Sequence, residues 1–260
     1  MVGTADVVEP LAAFALHGRV ALVTGASSGI GARAARVLDA LGATVVVSAR
    51  RTERIEALAA SLTSGDAMTC DVSQEGASAG LVDLVAERHG RIDVVIANAG
   101  ITNTEPALRE PVRRFAEVVS VDLVAPFELA QAAARHIRTA GEGGSIVMVA
   151  SAAAVSCSAL LPQAAYTAAK TGLVGLTREL ALQWARYDLR VNALCPGMFP
   201  TEMTAELVDS DELRTRFERE VPLRRVGRPD ELDAAIAYLA SSASSYMTGQ
   251  TLVIDGGGAL

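Results

Sequence analysis

Aromatic side chains make up only 4% of this 260-residue chain, and its three cysteines, Cys70, Cys157 and Cys195, are scattered without metal-ligand spacing. An odd, dispersed set of thiols argues against a disulfide framework or a zinc site, so buried reduced cysteines and no metal are expected. No basic residue precedes His17, whereas Asp6 and Glu9 do. The start therefore lacks the make-up of a signal or transit peptide, and a cytoplasmic protein is expected. An excess of positive charge is missing too: the formal net charge is −7, which gives no general attraction to nucleic acid or to an anionic membrane. The one long stretch without charge, residues 143–169, is interrupted by Ser145, Ser151, Ser156, Ser158, Pro162 and Gln163. It reads as strand, loop and helix start rather than as a membrane span. No linker or internal repeat is visible, so residues 19–260 are expected to form one domain after a loose leader over 1–18.

Half of the residues are apolar, and with so few aromatics the core is expected from Ala, Val and Leu. Strand patterns fall at 19–24, 44–48, 68–70, 93–97, 145–150, 190–194 and 251–254. Helical periodicity runs from the first glycine loop to Gly42, then over 52–62, 74–89, 112–140, 164–186 and 230–240, with Pro126 marking a bend in the long helix. Strands alternating with helices predict an α/β fold, Rossmann-like and doubly wound, in which a mainly parallel sheet of about seven strands carries helices on both faces.

Tyr166 and Lys170 stand four apart in the pattern over 164–186, so phenol and ammonium share one helix face, one turn apart. A positive charge nearby favours the phenolate, which makes Tyr166 a candidate general acid or base. Such pairs are also common on solvated faces, and the rest of the chain must decide. Gly25, Ser27, Ser28, Gly29, Ile30 and Gly31 follow the first strand and open a helix. Small residues there let backbone approach a pyrophosphate, while the helix start offers unpaired N–H groups and a positive dipole end. The first glycine gap is wider than in the usual dinucleotide fingerprint. After the second strand stand Arg50 and Arg51 instead of an acidic residue for the adenosine ribose. Guanidinium groups suit a 2′-phosphate, so NADP(H) is favoured with NAD(H) as the alternative; a merely solvated arginine pair is the plain reading.

Further motifs appear in order: Asp71 and Val72 after the third strand, Asn98, Ala99 and Gly100 after the fourth, Ser151 after the fifth, and Pro196, Gly197 and Thr201 after the sixth. From about Gly18 onward the chain resembles the short-chain dehydrogenase/reductase (SDR) family. The resemblance implies an oxidoreductase that moves a hydride between a nicotinamide cofactor and a ketone or secondary alcohol. It implies that Ser151 hydrogen-bonds the substrate oxygen, that Tyr166 passes the proton, and that Lys170 holds the nicotinamide ribose and lowers the tyrosine pKa. Asp71 would contact the adenine, Asn98 the adenosine side and Thr201 the nicotinamide amide, with the neighbouring motif residues completing the cofactor site. Two departures stand out. Val121, Asp122 and Leu123 occupy the place of the family's Val-Asn-Leu pattern. Asp122 would either serve a proton path through its backbone carbonyl or pair with Lys170 and alter the pH profile. The interval from Ser151 to Tyr166 is also longer than the commonest family spacing.

Ligands of such sheets bind beyond the carboxyl ends of the strands. Pocket walls are therefore expected at 102–105, 152–161 and 198–207, made apolar by Val155, Leu160, Leu161, Met198, Phe199 and Met203, under a lid over 196–223. The expected partner is a small, apolar carbonyl or alcohol, with Arg214 and Arg216 leaving an anion open. A homotetramer or dimer is expected, with neither nucleic acid nor membrane as partner. Three alternatives remain: an NAD-dependent dehydrogenase of the same family, a dinucleotide-sensing or scaffold protein without chemistry, and, less well matched to Tyr166 and Lys170, a methyltransferase.

Overall fold

The computed structural model describes residues 9–158 and 160–260, so residues 1–8 of the expected leader lie outside the described residues. Seven strands form one sheet: β1 Val20–Thr24, β2 Thr44–Ala49, β3 Gly65–Thr69, β4 Val94–Ala97, β5 Gly144–Val149, β6 Leu189–Pro196 and β7 Thr251–Ile254. They are ordered β3-β2-β1-β4-β5-β6-β7 and every neighbouring pair is parallel. Central strands of a parallel sheet are covered on both faces and read as continuous apolar runs. Val-Ala-Leu-Val-Thr of β1 and Val-Val-Ile-Ala of β4 are accordingly buried at every position.

The period of two sorts these side chains between two cores. Leu22, Val46, Val95, Ile146 and Met148 point to one face, where they meet helices α3 Ala77–His89, α5 Ala125–Ala140 and α6 Ala164–Trp184. Ala21, Val23, Val45, Val47 and Val147 point to the other, against α1 Gly29–Ala40, α2 Thr52–Ala60 and α9 Asp233–Ala240. Two short helices, α7 Ala205–Val208 and α8 Asp211–Glu220, lie within the expected lid.

Differences from the sequence reading are local. β3 begins at Gly65 and ends at Thr69, because pairing with β2 recruits Gly65 and Asp66, residue types of low strand preference. β6 runs on to Pro196 for the same reason, since β7 pairs with Cys195 and Pro196. The helix expected over 112–140 is continuous but not uniform: α4 Val112–Val119 passes through a π turn, Ser120–Val124, into α5. Pro126 has no N–H to return to the carbonyl of Asp122 four residues back, and the widened turn lies immediately before it. The strand order reverses direction between β1 and β4, and the cleft of such a fold opens there, at the carboxyl ends of the strands.

Candidate active site

Two glycines and Asn98 shape the loop between β1 and α1. Gly25 has a φ of +65°, and a Cβ on it would lie 2.7 Å from Ala99 Cα; one on Gly31 would lie 2.5 Å from both Gly25 O and Asn98 Nδ2. The loop therefore folds flat against the end of β4. Asn98 Nδ2 donates to Thr24 O at 2.9 Å and Gly25 O at 3.2 Å, and Thr24 Oγ1 accepts from the backbone of Asn98 at 3.1 Å and Ala99 at 3.2 Å. Gly31 sits beneath this cradle, whereas Gly25, Ser27, Ser28, Gly29 and Ile30 line a cleft of about 470 Å³. Arg50, Arg51, Asp71, Val72, Asn98, Ala99, Gly100, Asp122, Tyr166, Lys170 and Thr201 line the same cleft. A groove with a glycine cradle, a helix start and two arginines fits a dinucleotide.

Within the cleft Arg51 is already engaged. Its guanidinium donates to Ser27 Oγ at 2.8 and 3.1 Å, to Ser28 Oγ at 3.0 Å and to Glu202 at 2.8 Å. Arg50 is exposed at the rim. Asp71 Oδ1 accepts from Ser73 Oγ at 2.8 Å and Ser73 N at 3.1 Å; burial works against its charge, but these bonds and the attraction of Arg50 outweigh it and hold its pKa below the usual carboxylate value.

A second cavity of about 450 Å³ adjoins the first. Ser151 lines it at the end of β5, where its Oγ accepts from Ala153 N at 3.1 Å, leaving the O–H free to donate. Pro196 and Gly197 line this second cavity and not the cleft. Tyr166 borders both cavities, as does Met203. The expected walls are largely present, with Thr102, Thr104, Leu160, Leu161 and Met198 among them. Phe199 departs from expectation: it is 4% exposed and packs into the core beside Gly227. Val155 faces outward, exposed. Of the expected walls, Ala159 lies outside the described residues. Leu213, Phe217 and Glu220 of α8 join the wall. Of the two lid arginines, Arg214 pairs with Asp211 at 2.7 Å and neither lines the cavity.

Below Tyr166 the chemistry is buried. Lys170 is 3% exposed and donates to Val149 O at 3.0 Å, with Nζ 5.6 Å from the Tyr166 ring centre. Asp122, wholly buried, accepts the Ile101 N–H on Oδ1 at 2.8 Å and sets Oδ2 3.1 Å from Lys170 Nζ. That second oxygen lies off the hydrogen-bonding angle, so the contact is an ion pair more than an aligned hydrogen bond. Burial opposes the Lys170 charge, yet Asp122 and Tyr166 overcome it and raise the lysine pKa. Of the two roles open to Asp122 in the sequence, the pair with Lys170 is formed.

Glu202, Ile101 and Glu117 line the cleft without having been singled out in the sequence. Glu202 meets Arg51 across 151 residues of chain, and nothing in local pattern announces such a pairing. Lys170 is the only lysine in the chain.

Residues 25–258 match a family model described as enoyl-(acyl carrier protein) reductase. A 2-dehydro-3-deoxy-D-gluconate 5-dehydrogenase of Escherichia coli K12 is 34% identical over 252 residues, covering 95% of this chain and 98% of that protein. The crystal structure of a short-chain type dehydrogenase/reductase from Mycobacterium marinum superposes with a TM-score of 0.91 at 37% identity, over 96% of this chain and 98% of that one. A gluconate 5-dehydrogenase from Burkholderia cenocepacia, solved with NADP and tartrate, gives 0.90 at 34% identity, over 96% and 98%.

Proposed function

This chain belongs to the short-chain dehydrogenase/reductase family, and from that premise we propose that it is an NADP(H)-dependent oxidoreductase interconverting a carbonyl and a secondary alcohol with Tyr166 as proton carrier. The observation that carries the proposal is the position of Tyr166 on the border of both cavities, above the buried Lys170–Asp122 pair. The glycine cradle, Asp71, Asn98 and Thr201 would hold a dinucleotide in the larger cleft, with Arg50 and Arg51 at its adenosine end. Such a cofactor supplies or takes up the hydride.

In the reducing direction the substrate oxygen lies against the Ser151 hydroxyl, which donates a hydrogen bond, and Tyr166 delivers the proton that turns the developing alkoxide into an alcohol. Oxidation runs the same transfer backward, with Tyr166 receiving the proton. Lys170 keeps a positive charge beneath the phenol throughout, held in place by Val149 O and Asp122. Two carboxylates, Glu220 and Asp255, border the second cavity among Leu160, Leu161, Met198 and Phe217. Charge and apolar lining together favour an uncharged carbonyl or alcohol over a carboxylate-bearing one.

Exposed Val112, Phe115, Val124 and Phe127 lie along α4, the π turn and α5, and such a face supports a homo-oligomer. Among the described residues no helix is long and apolar enough to cross a membrane. The three free thiols fit a reducing compartment such as the cytoplasm.

The test is turnover of NADPH absorbance with a panel of matched neutral and carboxylate-bearing ketones. Tyr166→Phe is expected to retain NADPH binding while losing roughly 10²–10⁴-fold in kcat. Unchanged turnover removes Tyr166 from the mechanism, and preference for the carboxylate members overturns the substrate class.

A further inference from the structure

The mouth of the cofactor cleft carries an ion-pair network centred on Glu202, a residue to which the proposed function gives no role. Glu202 follows Thr201 in the loop after β6 and reaches back to the opposite wall. Its Oε2 accepts from Arg51 at 2.8 Å and from Ser28 Oγ at 3.1 Å, and its Oε1 accepts from Arg54 of α2. Arg51 meanwhile donates to Ser27 and Ser28. One carboxylate thus sits among two guanidinium groups and a hydroxyl. That is the donor set by which proteins hold a phosphate monoester. The same donors hold Glu202 ionised, with its pKa depressed to about 2.

Exposure decides what such a network is for. The side chains of Arg51, Arg54 and Glu202 are 44%, 51% and 52% exposed, and ion pairs in so wet a setting add little to stability. They are readily exchanged for a stronger anion. Thr201 lies against the glycine loop, since a Cβ on Gly29 would come within 3.2 Å of its Cγ2; Glu202 is therefore anchored beside the cleft whichever partner it holds.

We propose that Glu202 sets cofactor selectivity, its carboxylate occupying in the free enzyme the arginine and serine donors that a 2′-phosphate takes when NADP(H) binds. This rests on the assignment of Arg50 and Arg51 to that phosphate. NAD(H), which brings no anion to this spot, leaves the bridge in place. Glu202 thereby holds NADP(H) affinity below what the two arginines alone would give, and leaves NAD(H) affinity untouched.

Calorimetric titration of the full-length protein with NADPH, NADH, 2′,5′-ADP and ADP tests this, in wild type and Glu202→Gln. The side chain is half-exposed, so the variant is expected to fold, with thermal melting as the check. Release of the competing carboxylate is expected to tighten NADPH and 2′,5′-ADP about fivefold, as for a surface ion pair. NADH and ADP should stay within about twofold, and added salt should shrink the gain. Equal tightening of all four ligands, or weaker binding of NADPH, overturns the proposal. If wild type prefers 2′,5′-ADP to ADP and the variant leaves that preference unchanged, the proposal alone falls. If neither protein prefers 2′,5′-ADP, the reading of Arg50 and Arg51 falls and takes the proposal with it.

Discussion

Lys170 is the sole lysine of a chain whose other basic side chains, apart from three histidines, are arginine, and it is buried in the proposed active site. A compact ammonium suits this position better than a guanidinium. Its three donors are met by Val149 O, by the charge of Asp122 and by the cleft it lines, whereas five guanidinium donors would need partners in the same small volume. Uniqueness also gives an experimental handle, because a ¹⁵N-lysine label produces one side-chain signal. Asp122→Asn removes the charge that raises the Lys170 pKa, so that signal is expected to titrate at lower pH than in wild type. The rising limb of the alcohol-oxidation rate should shift to lower pH as well, since the positive charge beneath Tyr166 is then unpaired. An unmoved lysine titration would mean that Asp122 is not its electrostatic partner. The sequence placed Asp122 near this chemistry but left two roles open, because the choice depends on where a carboxylate points within a π turn.

At the scale of elements, the unit formed by β1, the glycine loop and α1 is the most legible part of the chain. The reason is steric and local: only residues without a Cβ permit Gly31 to lie against Gly25 O and Asn98. Gly31→Ala is expected to push the loop off β4. Overpacking of this kind costs about 1–3 kcal/mol, and cofactor affinity should fall by about tenfold or more as the cradle opens. Calorimetric titration with NADPH, paired with thermal melting, checks both; wild-type affinity would show that the contact with Asn98 is not needed. The π turn before Pro126 was legible only as a bend, since proline announces a break in the ladder without saying how the helix absorbs it. β3 was misplaced by a few residues because Gly65 and Asp66 are drawn into the sheet by β2, not by their own preference. Helix α8 brings Leu213, Phe217 and Glu220 to the second cavity, a closure over many residues that no periodicity foretells.

The whole molecule separates its chemistry from its fastening. Catalytic candidates gather at the carboxyl ends of the strands, while the opposite end is tied by Asp93. This carboxylate, with its side chain 6% exposed, accepts from Val20 N at 2.9 Å, from Arg19 at 2.8 Å and from Arg91 at 2.6 and 2.8 Å. Burial works against its charge, but Arg91, the Val20 amide and Arg19 prevail and lower its pKa. A carboxylate with a depressed folded pKa stabilises the fold fully above its unfolded value of about 3.9 and ceases to do so as pH falls through the folded value. Asp93→Asn is therefore expected to cost about 2 kcal/mol at pH 7, or about 4–8 °C in Tm for a chain of this size. The gap from wild type should narrow on acidification below about pH 4. Melting curves recorded across that range check it, and a gap that does not change with pH would assign the loss to packing.

By itself the sequence determined the alternation of strands and helices, the glycine cradle, and the one-turn spacing of Tyr166 and Lys170. Each of these follows from backbone sterics or from a helical repeat that acts over a few residues. Only the tertiary structure decided that Tyr166 borders two cavities, that Asp122 meets Lys170, and that Glu202 crosses the cleft to Arg51 and Arg54. Those encounters join residues far apart in the chain. They depend on how the sheet and its helices stack, because charge and hydrogen-bonding energies fall off within a few ångströms and take no account of sequence separation.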